Sequence, residues 1–153
     1  MRAIILIPFL ILVSCKENGG TETGSPMVSE IVMNASRAYK IVEAACKKVV
    51  GCNIADGQQE AVTTCVSEQM LKQVYAPKLG LPIDYNTWSL IEVIYAEYEG
   101  DVVSEETAKI RCISDVNELI CTEAVVQDAY DPSMEKKYSS VHEILPQSCT
   151  EVF

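Results

Sequence analysis

The chain is short of nearly everything that marks a catalytic or nucleic-acid-binding protein. It has one histidine, His142, one tryptophan, Trp88, and two phenylalanines, Phe9 and Phe153. The scarcity of imidazole leaves His142 as the only candidate for histidine acid–base work, and no Gly-x-Ser-x-Gly motif offers it a nucleophile. Its bland reading is an exposed or capping histidine beside Glu143, and a small hydrolase using His142 is the weaker alternative. Basic side chains are few: 12 Lys and Arg stand against 22 Asp and Glu, a formal net charge of -10. Carboxylates in that excess repel a phosphate backbone, so no nucleic-acid partner is expected. No Cys-x-x-Cys pair occurs among the seven cysteines, which argues against a zinc site and against a thioredoxin-like redox centre, so neither a metal nor another cofactor is expected. The stretch Asp115 to Glu118 lacks the glycine and the terminal glutamate of a calcium loop. Finally, the longest apolar run, Ala3 to Val13, is interrupted by Pro8 and is well short of the about 20 residues that span a bilayer.

What is present begins at that run. Arg2 followed by Ala3 to Val13 has the charge and the length of a signal-peptide apolar region, which needs only about 7 to 15 residues. Leu12, Val13, Ser14 and Cys15 resemble the lipobox of bacterial lipoproteins, with leucine three positions before the cysteine and a small residue just before it. The resemblance covers residues 1–15. It implies cleavage before Cys15, a diacylglycerol thioether on its sulfur, and acylation of the new amino terminus with a chain such as palmitate. The membrane is then a partner through covalent lipid, since two or more acyl chains hold a soluble domain where one does so only marginally. Lys16, in place of aspartate, implies by the same resemblance forwarding to the outer membrane of the cell envelope, on its periplasmic face or at the cell surface. Residues 16–26 contain three glycines and no aliphatic or aromatic side chain, and read as a flexible tether with a reach of roughly 15 to 20 Å. The organisation expected is a signal peptide over 1–14, a lipidated cysteine and tether over 15–26, and a helical, cysteine-containing domain over 27–153.

Apolar periodicity in that domain points to an all-α fold, a small bundle of about five helices stapled by disulfides. Val28, Ile31, Ala35, Ala38, Val42, Ala45 and Val49 form one stripe, started by Ser25 and Pro26, with Gly51 placed for a left-handed cap. After a turn at Asn53 to Gly57, Ala61, Val62, Cys65, Val66, Met70 and Val74 form a second, so a helical hairpin follows. Asn86 is the expected N-cap of a third helix carrying Trp88, Ile91, Tyr95 and Tyr98 and ending at Gly100. Ser104 opens a fourth through Ile110, Ile113, Val116 and Ile120 towards Val125, with a possible break at Ser114 and Asp115. Met134, Tyr138, Val141 and Leu145, between Pro132 and Pro146, suggest a fifth. The only extended piece expected is a short one near residues 76–85.

Cys46, Cys52, Cys65, Cys112, Cys121 and Cys149 remain once Cys15 is assigned to lipid, an even set that in an exported domain reads as three disulfides. Cys46 and Cys65 lie nearly equidistant from the turn at residues 53–57 and face one another if the hairpin forms. Cys112 and Cys121 are too far apart along a continuous helix, about 13.5 Å, to pair. Cys149 is placed to staple the tail to one of those helices.

Trp88, Tyr95 and Tyr98, interleaved with Glu92, Glu97 and Glu99, are the candidate binding residues, an aromatic and acidic face for an envelope or extracellular protein partner. Their helical spacing fits burial in the core better. The functional expectation is a lipid-anchored, non-catalytic binding or structural module of the envelope, with a small lipid carrier as the alternative. Small cysteine-containing envelope lipoproteins of unknown function are loosely similar to the mature domain, a similarity that implies no activity.

Overall fold

A computed structural model describes residues 29–153. The expected signal peptide, lipobox-like motif with Cys15, tether and helix start at Ser25 and Pro26 all lie outside the described residues. The described chain is all-helical, with seven helices, three 3₁₀ turns and no strand among the described residues.

The first expected helix is two. α1 (Glu30–Ala35) starts at Ser29, and α2 (Arg37–Asn53) starts at Ser36, whose backbone is extended. The Ser36 hydroxyl accepts from the Tyr39 amide, satisfying a free N–H of the first turn of α2, and donates to Glu97 Oε2 at 2.7 Å. The side-chain hydrogen bonds available to serine hold the backbone out of the helical region, and α1 sets off in a new direction. As a result Ile31 is 74% exposed and Val32 is buried in its place. α2 buries Ala38, Ile41, Val42, Ala45, Cys46, Val49 and Val50 and is the element around which the others pack. Gly51 does not cap it. The helix runs on to Asn53, and the left-handed position falls instead to Gly57, at φ 70°, which admits α3 (Gln58–Gln69). The hairpin of α2 and α3 expected from the two stripes is present.

Beyond α3 the expected extended piece at 76–85 is a short helix, α4 (Tyr75–Lys78), followed by a 3₁₀ turn at Ile83–Tyr85. Gly80, at φ +91°, lies so close to the tail that a Cβ there would stand 2.1 Å from the Thr150 carbonyl oxygen. α5 (Leu90–Glu99) is capped by Ser89 rather than Asn86. The Glu92 carboxylate accepts from both the amide and the hydroxyl of Ser89, each at 2.7 Å, which also holds its own pKa below the ordinary value. Gly100, at φ 86°, ends α5 as the sequence indicates.

α6 (Glu106–Glu118) begins after Ser104 and runs unbroken through Ser114 and Asp115, because Asp115 is engaged by the Ser148 hydroxyl rather than by its own backbone. It stops at Leu119, leaving Ile120 outside and 64% exposed, and Val125 belongs to a separate helix, α7 (Ala124–Asp128). The fifth expected helix does not form. Residues 131–137 are exposed turns, opened by the Asp131 carboxylate accepting from the Ser133 amide and hydroxyl, and only Val141–Ile144 is helical, as a 3₁₀ turn. The tail, Gln147–Glu151, is a 3₁₀ turn against α6, sewn in by Phe153 N–H donating to Leu79 O and Glu105 N–H donating to Val152 O.

Three disulfides join the elements. Cys46–Cys65 ties α2 to α3, with the Cα atoms 5.8 Å apart; Cys112–Cys149 ties α6 to the tail; Cys52–Cys121 ties the end of α2 to the turn between α6 and α7.

Candidate functional site

The α5 region carries all three candidate binding residues, and none of them is a core residue. Capping at Ser89 sets the helix phase so that Leu90, Val93, Ile94 and Ala96 face inward. Trp88 and Tyr95 are therefore half-buried and Tyr98 is 52% exposed, contrary to the core burial their spacing suggests. Trp88 precedes the helix and is held edge-on by Tyr85, ring centroids 4.6 Å apart. Trp88 and Tyr95 line a shallow groove of 290 Å³ with Glu92, Ala96, Glu99 and Asp101, while Tyr98 lies outside it. Two apolar ring faces among three carboxylates offer contact area at low entropy cost together with a negative potential.

Glu97, grouped by sequence with Glu92 and Glu99, does different work. It points inward, its side chain 5% exposed. Oε2 accepts from the Ser36 hydroxyl and from the Arg37 and Ala38 amides, Oε1 accepts from the Ser104 hydroxyl, and Arg37 Nη1 stands 3.7 Å away. A carboxylate thus sits at the positive end of the α2 dipole, a structural role. Arg37 is held above its ordinary pKa chiefly by its hydrogen bond to Glu106, 2.7 Å from Nε.

His142 lies in the 3₁₀ turn beside a depression shared with Lys78, Asn86, Glu143 and Thr150. Its Nε2 is 2.8 Å from Glu143 Oε1, and its buried Nδ1 has no hydrogen-bond partner. Burial, reinforced by Lys72 and Lys78, lowers its pKa, so the ring is neutral at neutral pH. No hydrogen bond joins it to a hydroxyl or thiol among the described residues, and the Thr150 hydroxyl donates to Gln147 O. A lone imidazole with a carboxylate can move a proton but has no nucleophile aligned to use it.

A second groove, of 340 Å³, which no sequence motif marks, lies between the α2–α3 turn and the segment 130–138. Tyr130 and Tyr138 pack with ring centroids 5.3 Å apart on one wall, and Asp56, Glu60, Glu68 and Glu135 outnumber Lys137 around it. The two tyrosines are brought together by non-helical chain, so no periodicity links them. Among the described residues no group of three or more His, Cys, Asp or Glu side chains is placed to hold a metal ion. The chain matches no protein-family model, and no curated protein or solved structure is similar enough to count as a relative.

Proposed function

We propose that the protein is an exported, lipid-anchored binding module of the cell envelope that docks a protein partner through the outer face of α5. The observation that carries this reading is the open groove in which Trp88 and Tyr95 stand among Glu92, Glu99 and Asp101. Aromatic anchors ringed by charge favour a partner surface with basic residues, and a chain with a large excess of acid repels others. The three disulfides support an oxidising compartment, in keeping with the signal-like segment and the Leu12–Cys15 motif. A diacylglyceryl group on Cys15, with the tether behind it, would keep the domain at the membrane, outer membrane by the Lys16 rule, while leaving α5 free to turn towards its partner.

The test is site-specific photo-crosslinking in intact cells, with the probe placed in turn at Tyr98 and, as a control on another face, at Thr64. The reading expects a discrete adduct from Tyr98 and none from Thr64, abolished by Glu99→Lys/Asp101→Lys, both exposed positions whose reversal leaves the core untouched. Adducts that are equal at the two positions, or indifferent to the charge reversal, contradict it.

A further inference from the structure

The three disulfides differ in one physical respect. Cys46, Cys65, Cys112 and Cys149 are each 0% exposed, whereas Cys52 is half-buried and Cys121 is exposed. Thiol–disulfide exchange requires a thiolate to approach one sulfur in line with the bond, so a bridge sealed in the core reacts only after unfolding while an open one reacts in the native state. Lys48 lies one helical turn before Cys52 on the same side of α2, and its Nζ donates to Asn117 O near the end of α6, 2.8 Å away. The lysine lends positive charge to the end of α2 that carries the departing sulfur, and so partly offsets the negative end of the helix dipole there.

We infer that Cys52–Cys121 is a thiol–disulfide exchange site, opened by an accessible dithiol, whose reduction frees the chain from Leu119 to Asp131 while the rest of the fold stands. One thiolate of the dithiol attacks the Cys121 sulfur, the Cys52–Cys121 bond breaks, and the bonding pair leaves on Cys52 as a thiolate that takes up a proton. The second thiol of the dithiol, once deprotonated, then attacks the mixed disulfide and releases Cys121 as a thiolate. Two electrons pass to the protein and the dithiol ends as a disulfide.

The segment so released has two moorings. At its far end Tyr138 is fixed by its amide to Glu68 Oε2 at 2.9 Å and by Gln69 Nε2 to its carbonyl at 2.8 Å. At its near end the bridge is the covalent hold, and between them only Val126 and Ala129 are fully buried among residues 119–137, with Leu119, Val125 and Tyr130 partly buried against the core. Tyr130 forms part of the wall of the 340 Å³ groove and moves with the freed chain.

The experiment exposes the oxidised full-length protein, in mild detergent, to graded dithiothreitol under native conditions, then traps thiols with N-ethylmaleimide and maps them by mass spectrometry. Parallel hydrogen exchange follows residues 119–131. The expected result is labelling of Cys52 and Cys121 at least tenfold faster than the other four, with exchange rising in 119–131 and protection retained in α2 and α6. The double variant Cys52→Ser/Cys121→Ser should show the same raised exchange without reductant. Six thiols appearing together, a core pair appearing first, or unchanged exchange in 119–131 in both the reduced protein and the variant overturns it.

Discussion

The inner face of α2 and the segment from Leu119 to Ser140 are both tied by disulfides, and they are held by different means. Along α2, seven of 17 residues are buried, and Cys46 reaches Cys65 inside that apolar contact. In the outer segment only Val126, Ala129 and Tyr138 are buried, with Leu119, Val125 and Tyr130 partly buried against the core, so packing contributes less than along α2 and order rests more on the exposed bridge at one end and the hydrogen bonds of Tyr138 at the other. The contrast separates two roles of a disulfide. In the core it reinforces an arrangement that side-chain burial already dictates; at the edge it supplements a sparser burial.

That contrast is sharpest where loop length and burial disagree. Cys52 and Cys121 are 69 residues apart and Cys46 and Cys65 only 19, so chain entropy alone assigns about 4 kcal/mol to the outer bridge and about 3 kcal/mol to the inner. Removing the inner bridge also empties space in a sealed core, at about 1 to 2 kcal/mol for two sulfur-sized gaps. The outer one leaves no cavity, and a loosely packed segment already retains much of its freedom. Urea denaturation should therefore find Cys46→Ala/Cys65→Ala the more destabilised, by about 4 to 5 kcal/mol, against about 2 to 3 kcal/mol for Cys52→Ala/Cys121→Ala. The reverse order would mean that loop entropy, not burial, decides which bridge matters more.

Gly80 probes the same well-packed side without touching sulfur. Alanine there must adopt φ +91° and push the Thr150 carbonyl, and with it the turn that carries Cys149. A loss of about 2 to 3 kcal/mol is expected, measured by thermal melting, and Gly57→Ala, with open space around its Cβ, should lose only about 1 kcal/mol.

The smallest effect concerns His142. Burial, then Lys72 and Lys78, work against protonation, and Glu143 partly opposes them, so the folded pKa lies below the ordinary 6.5. A depressed folded pKa means that the contribution is fully present above the unfolded value and is lost as pH falls through the folded one. His142→Gln should leave stability at pH 8 within about 1 kcal/mol of the parent and flatten its decline from pH 6.5 downwards. An unchanged slope would show that the ring is not the group titrating.

Much of the core was legible in the sequence, and particular residues show why. The two stripes flanking residues 53–57 specify both a hairpin and the facing of Cys46 and Cys65, since helical period and turn position are local properties. Gly100 marks the end of α5 for the same reason. The break at Ser36 was not legible because its cause is Glu97, 61 positions away. Met134, Tyr138, Val141 and Leu145 have helical spacing, but Asp131 and Ser133 form a side-chain turn and Tyr138 is claimed by Glu68 and Gln69, so long-range contacts override the pattern. The candidate groove was half legible. Its residues were identified, but whether they face inward depends on helix phase, which Ser89 sets and Asn86 does not.

Export of the domain and its anchoring by lipid on Cys15 can be checked in a single experiment, the intact mass of the native protein isolated from cell membranes, with and without thiol alkylation. The expected result is a chain beginning at Cys15, heavier by a diacylglyceryl group and an amide-linked acyl chain, and taking up no alkylating agent because its other six cysteines are paired. A chain that starts at Met1, or one that carries an unmodified Cys15 thiol, contradicts it.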